Sequence, residues 1–379
     1  MTKIIGAPDR YIQGPGEIGK LHEYGSPLGN EFLVVTEEQT MANMRGLVEQ
    51  AFEGTGSVLM YEEFAGICTG AEIDRLATTA DLGSCDVVLG IGGGRAINAA
   101  RAVAALQRLP LMVVPTTAAT GAACSSISML TDENGVFQEY RVSPVHPEVV
   151  VVDSAIIAQA PPRSLVAGMG NTVATWLAAR AHRQSDAVNL LGGKGTLSSY
   201  ALGKLGYDTV LADGLRALLA AQNGLPTRAF EHVLEANIYC SGMAFENGGC
   251  AAAHSIANAL TVLPEAREQS YGELTAFGSI VQLVLEDAPR EEMDDIMNLF
   301  LSTGLPMTLE ELGLGDVSRE SLQKVAETVC APESFMSAMP FDVSPADVLG
   351  AILAASVTGH LYQEEDNGHA DHEEEEEEN

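Results

Sequence analysis

Short apolar runs alternate with amphipathic stretches over the first two-fifths of the chain. Glu31–Thr36 encloses Phe-Leu-Val-Val and reads as a strand, and Met41–Phe52 has helical spacing. Ser57–Tyr61 and Ala71–Thr79 repeat the pair. Val87-Val88-Leu89 is an apolar run short enough for a buried strand, and Leu109–Thr116 and Glu148–Asp153 are two more. Strands alternating with helices in this way predict a parallel α/β sheet. Ser126–Val142 breaks the alternation: two runs flank Asp132-Glu-Asn-Gly135, and Asn-Gly marks a hairpin turn. After Asp153 the period becomes helical, with helices expected at about 164–184, 208–222, 227–246, 250–262, 272–286, 290–303, 319–331 and 345–362. The expected organisation is an α/β N-terminal domain over residues 1–155, an all-α domain over 156–362 and an acidic tail without fixed structure over 363–379.

The most informative stretch is Cys85–Ala105. Its strand ends on Gly92-Gly93-Gly94 and leads into an alanine-rich helix. Strand, glycine turn and helix bring backbone N–H groups and a helix N-terminus to one point, where a phosphate is bound. Missing side chains let a pyrophosphate reach the main chain. The alternative reading is a tight structural turn.

Composition narrows the picture. The 379 residues carry 52 acids against 20 bases, a net charge of −32, with only five lysines. An acidic, lysine-poor body is expected of a salt-adapted protein, whose self-repulsion needs screening, and it excludes binding to nucleic acid backbones. No 18-residue apolar run exists, so no membrane span is expected. The N-terminus lacks a signal-peptide pattern. Six scattered cysteines with no C-x-x-C pair point to reduced thiols in a cytoplasm.

Specific segments carry a family resemblance. They are Tyr11-Ile-Gln-Gly14, Gly90-Ile-Gly-Gly-Gly94, Val114-Pro-Thr116, Ala174-Thr-Trp176, Ala178-Ala-Arg180, Glu235-Ala-Asn237, Gly248-Gly249, Ala251-Ala-Ala-His254 and Ala276-Phe-Gly278. With the α/β-then-helical plan, they make the chain resemble the iron- or zinc-dependent alcohol dehydrogenases, closest to the glycerol dehydrogenases, over about residues 4–362. The resemblance implies a Rossmann-like nucleotide-binding domain joined to an all-α domain, the fold shared with dehydroquinate synthases. It implies NAD in the cleft between them, with the pyrophosphate on Gly92, Gly93 and Gly94, the ribose held by Glu37, and Arg95, Thr116 and Ser125 lining the nucleotide. It also implies self-assembly through the helical domain.

The same resemblance exposes departures at the catalytic centre. The family's zinc ligands are one Asp and two His, and these positions carry Asn171, His254 and Tyr271. Asn is a neutral donor and a Tyr phenol must lose a proton to bind well, so only His254 is retained as a ligand and zinc affinity is expected to fall by orders of magnitude. The substrate-facing Asp position is Gly121, a further family His is Ala257, and an Asp after the glycine turn is Asn98. Asp153, Glu235 and Glu246 are alternative acids near the cleft. Loss of charge at several cleft positions, with packing residues unchanged, favours a homologue that has lost zinc-dependent alcohol oxidation and serves a structural, self-assembling or nucleotide-sensing role. The alternative is an active NAD-dependent glycerol or polyol dehydrogenase with a rebuilt site, in which Tyr271 acts as acid or base. A phosphate-eliminating cyclase would need more basic residues than the cleft offers.

Overall fold

The computed structural model describes the backbone of residues 2–377 and the side chains of residues 2–366. Its centre is a six-stranded parallel sheet in the order β1-β8-β5-β4-β2-β3. The strands are β1 (Arg10–Gly14), β2 (Glu31–Thr36), β3 (Val58–Glu63), β4 (Val87–Gly92), β5 (Leu111–Pro115) and β8 (Val149–Asp153). β6 (Ile127–Thr131) and β7 (Phe137–Val142) form the expected hairpin, separate from the sheet. β4, β5 and β8 are buried along their whole length, which is why they read as unbroken apolar runs.

Strand β1 was not anticipated as a strand. Only Tyr11 and Ile12 are strongly apolar there, and pairing with β8 in register Tyr11↔Val150 supplies what local propensity does not. The chain passes from β2 outward to β3 and returns across β2 to β4, whereas β4 leads the other way to β5. The connections therefore part between β2 and β4, where α/β sheets open a crevice at the carboxyl ends of their strands.

Among the described residues, every named element after Asp153 is a helix. The long helices Pro162–Ser185, Leu197–Gln222 and Tyr271–Leu285 are packed together, and small residues let them approach closely. A Cβ on Gly206 would lie 3.1 Å from both Cys240 Cβ and Thr172 Cγ2. One expected helix, 227–246, differs from expectation. It is helical at Arg228–Glu235, turns once with π-helical bonding at Ala236–Cys240, and resumes at Ser241–Gly248. The widened turn holds Asn237, whose amide donates to Ala118 O and Leu165 O. The helix 208–222 begins earlier than expected, at Leu197, where Thr196 and Ser199 form a capping box. The last helix, Pro345–Glu377, runs past its expected end at 362. Extending an anchored helix adds one bond per residue without a new nucleus. The six cysteines are unpaired.

Candidate active site

The crevice between β2 and β4 collects the residues expected to hold a nucleotide. Register places Val35 opposite Gly90, so Glu37, just beyond β2, stands level with the glycine turn. Gly92 has φ 149°, and a Cβ there would lie 2.9 Å from Ala96 Cβ, so the turn requires glycine. Helix Gly94–Gln107 starts with Gly93 as its N-cap, no side-chain cap and no acid in its first turn. Its first N–H groups are left for an anion. Arg95 is exposed beside them, and Thr116 donates its N–H to Gly92 O. The turn, Glu37, Arg95 and Thr116 thus stand at the carboxyl ends of neighbouring strands β2, β4 and β5.

Ser125 is placed differently from expectation. It is buried and donates to Glu246 Oε2 at 3.0 Å, beneath the loop rather than lining the crevice. Ser126 gives the same oxygen its N–H at 2.7 Å and its hydroxyl at 2.9 Å. Glu246 Oε1 is paired with His146 Nε2. Close by, the fully buried Arg101 donates to Asn98 Oδ1, Ile127 O and Ala122 O, and burial pushes its pKa down to about 10, so it stays charged. Of the other acids weighed from sequence, Asp153 is spent on Gly16 N, Ile18 N and Ala155 N, and Glu235 is exposed.

The expected metal positions lie on three helices, Pro162–Ser185, Ala252–Leu260 and Tyr271–Leu285. A Cβ on Gly170 would meet Gly272 O at 2.8 Å, which sets Asn171 beside the start of helix Tyr271–Leu285. Asn171 is buried, and its amide donates to Ser241 Oγ at 2.9 Å. Tyr271 is the first residue of its helix, and its phenol lies 2.8 Å from that of Tyr140 and 3.1 Å from Asn258 Oδ1. His254 is fully buried one turn before Asn258, and both its ring nitrogens lack a hydrogen-bond partner. Burial lowers its pKa from 6.5 to about 4, so its ring is neutral at physiological pH.

Gly121, at the substrate-facing position, leaves no room for a side chain. A Cβ there would lie 2.2 Å from Gly242 N. Sequence reasoning missed Tyr140, Asn258, His146 and Arg101 as members of this region. The signal available for Tyr140 was a lone aromatic between Glu139 and Arg141 on a hairpin strand.

The model of the family described as iron-containing alcohol dehydrogenase matches residues 8–154. The glycerol dehydrogenase of Escherichia coli O6:H1 is 40% identical over 365 residues, 96% of this chain and 100% of the relative. The chain belongs to the iron-containing alcohol dehydrogenase family. A glycolaldehyde reductase of Halobacterium salinarum is 35% identical over 95% of this chain and 98% of its own. The crystal structure of a probable glycerol dehydrogenase from Sinorhizobium meliloti 1021 superposes with a TM-score of 0.90 at 36% identity, covering 95% of this chain and 99% of that one. The chain is thus a glycerol dehydrogenase homologue over nearly its whole length.

For this family member, the residues at the metal positions do not fit a divalent ion. They offer one neutral imidazole, an amide turned to Ser241 and a phenol engaged with Tyr140 and Asn258. Among the described residues, no three His, Cys, Asp or Glu side chains converge as a ligand set. Burial raises both Tyr140 and Tyr271 above the ordinary phenol range, so neither is an anionic donor.

The neutral His254 has a measurable consequence. The unfolded chain, with its ordinary histidine of pKa 6.5, binds a proton that the fold excludes down to about pH 4. Stability from this source is complete above pH 6.5 and falls as pH drops to about 4. The loss over that window is about 3 kcal/mol. Urea midpoints of wild type and His254→Leu are expected to diverge in this way, with the leucine variant less acid-sensitive. Parallel pH curves would show that His254 is not a buried neutral group.

Proposed function

We propose that this chain is an NAD-dependent oxidoreductase of the glycerol dehydrogenase type, acting on a small polyol or the matching hydroxycarbonyl through a rebuilt site without zinc. The observation that carries the reading is the crevice between β2 and β4, where Glu37 and the uncapped Gly93–Gly94 helix start fit a dinucleotide. Relatives named glycerol dehydrogenase and glycolaldehyde reductase support the substrate class. A division at residue 155, a cytoplasmic location and self-association belong to the same proposal. Exposed Leu205, Leu215 and Leu219 on one helix offer apolar surface for that association.

The expected result is quenched tryptophan emission or enhanced NADH fluorescence on mixing, followed by substrate-dependent oxidation of NADH. The net charge of −32 calls for molar salt in the assay, where the fold is expected to be more stable. Chelator is expected to leave the rate unchanged.

A second reading, a nucleotide-binding homologue without turnover, is favoured by the Gly121–Gly242 contact at the place of the substrate-facing acid. It predicts NADH binding with no oxidation by glycolaldehyde, dihydroxyacetone or any other small carbonyl. Absence of NADH binding would overturn both readings.

A further inference from the structure

We propose that the Tyr140–Tyr271 pair, held by Asn258, takes over the place of the family's metal as the group that receives a neutral carbonyl oxygen and gives it a proton. The inference rests on the oxidoreductase reading above and deepens it.

The geometry is specific. Tyr140 comes from the hairpin strand β7, Asn258 from helix Ala252–Leu260 and Tyr271 from the start of helix Tyr271–Leu285. Their oxygens form a closed triangle, with the phenols 2.8 Å apart and Asn258 Oδ1 at 3.2 Å from Tyr140 and 3.1 Å from Tyr271. Three short contacts join these oxygens, yet the two phenols supply only two protons and the amide oxygen none. One edge always places lone pair against lone pair. A phenol that turns its O–H outward to an incoming oxygen therefore gives up little, since the other phenol can share its proton with both remaining oxygens.

The surroundings select the ligand. The rings of Phe137, Phe245 and Phe335 lie 4.9, 5.5 and 5.6 Å from that of Tyr140, and the neutral His254 ring lies 5.3 Å from Phe245. Among the described residues, no charged side chain bonds to the triangle. A small neutral hydroxycarbonyl suits such walls, whereas a carboxylate would be desolvated without a counter-charge. Both side chains are half-buried rather than fully enclosed.

The chemistry runs toward reduction. A phenol whose O–H turns toward an incoming oxygen is placed as a proton donor, and the shortage of protons within the triangle leaves one free to turn. Bound NADH would supply the hydride. As the carbonyl carbon gains that hydride, the C=O π pair moves to oxygen and the O–H bond of one phenol breaks, its proton passing to that oxygen. The products are the alcohol, the oxidised nucleotide and a phenolate, which regains its proton from water. Until then the partner phenol donates to the phenolate, and the start of helix Tyr271–Leu285 adds favourable dipole.

The experiment uses full-length protein in molar salt with chelator present, and measures NADH binding and the reduction of glycolaldehyde and dihydroxyacetone. Tyr140→Phe and Tyr271→Phe keep the rings that pack the cluster. Each is expected to lower kcat by a factor of about 100 or more while NADH binding and KM change little. Turnover unchanged in both variants would overturn the inference and leave the oxidoreductase reading standing. Wild-type turnover abolished by chelator would likewise overturn it in favour of a metal. Wild type that binds NADH yet reduces neither carbonyl would overturn the oxidoreductase reading, and this inference with it.

Discussion

Gly121→Asp, which places an acid where the family resemblance implies one, lowers the stability of this chain by roughly 3–5 kcal/mol. The cause is the approach of two backbones. A Cβ on Gly121 would lie 2.2 Å from Gly242 N, 2.4 Å from Gly242 Cα and 3.0 Å from Ser241 C. The approach is reciprocal, since a Cβ on Gly242 would lie 2.4 Å from Gly121 O. Neither neighbour is a side chain that can swing aside. The loop after β5 or helix Ser241–Gly248 must move, and the new carboxylate enters a buried place. Urea unfolding at neutral pH in constant high salt measures the loss. Gly121→Ala separates the two causes, because it meets the same backbone without the charge and is expected to show the steric part alone, about 1–3 kcal/mol. Wild-type midpoints for both variants would mean that the two glycines stand apart in solution. An acid at this position therefore requires more than one substitution, because no space is open for it.

Glu246→Ala is expected to cost a similar amount, about 3–5 kcal/mol. Its carboxylate is fully buried in the helical half and accepts from the Ser125 hydroxyl and from the Ser126 N–H and hydroxyl in the α/β half, while its other oxygen is paired with His146. Removing it strands these donors and leaves the buried charge of Arg101 without the nearby anion that favours it. Glu246→Gln keeps an accepting oxygen and is expected to lose less. Urea midpoints rank the three proteins; an alanine variant as stable as wild type would show that water already reaches these groups. The same network explains why Ser125 does not line the nucleotide crevice. Its hydroxyl already donates to Glu246, and also accepts from Ile127 N at 3.0 Å.

The two halves of the site were unequally legible. The nucleotide crevice is built from local signals. A buried strand must be apolar, a turn with φ 149° must be glycine, and a helix needs strong formers, so Val87–Ala105 announces its structure without help. The position of Glu37 beside that turn is not local. It follows from β2 pairing with β4 although β3 lies between them in sequence. The centre of the cleft is less legible still. The substitutions at Asn171, Gly121 and Tyr271 stand out once the family resemblance is drawn. What the new residues do depends on partners 70, 121 and 131 positions away, Ser241, Gly242 and Tyr140.

By itself the sequence determined the parallel α/β sheet, the hairpin, the helical second half and the family, because burial period, turn residues and ancestral motifs act over short stretches. Through the family resemblance it also implies that Asn171 and Tyr271 stand where an aspartate and a histidine are expected. Tertiary structure alone decided that Tyr271 meets Tyr140 and Asn258, that Ser125 is drawn under the loop to Glu246, and that Gly121 closes against Gly242. Each of these depends on helices and loops distant in sequence coming within a few ångströms. Such contacts arise from the packing of whole faces, which no local pattern encodes.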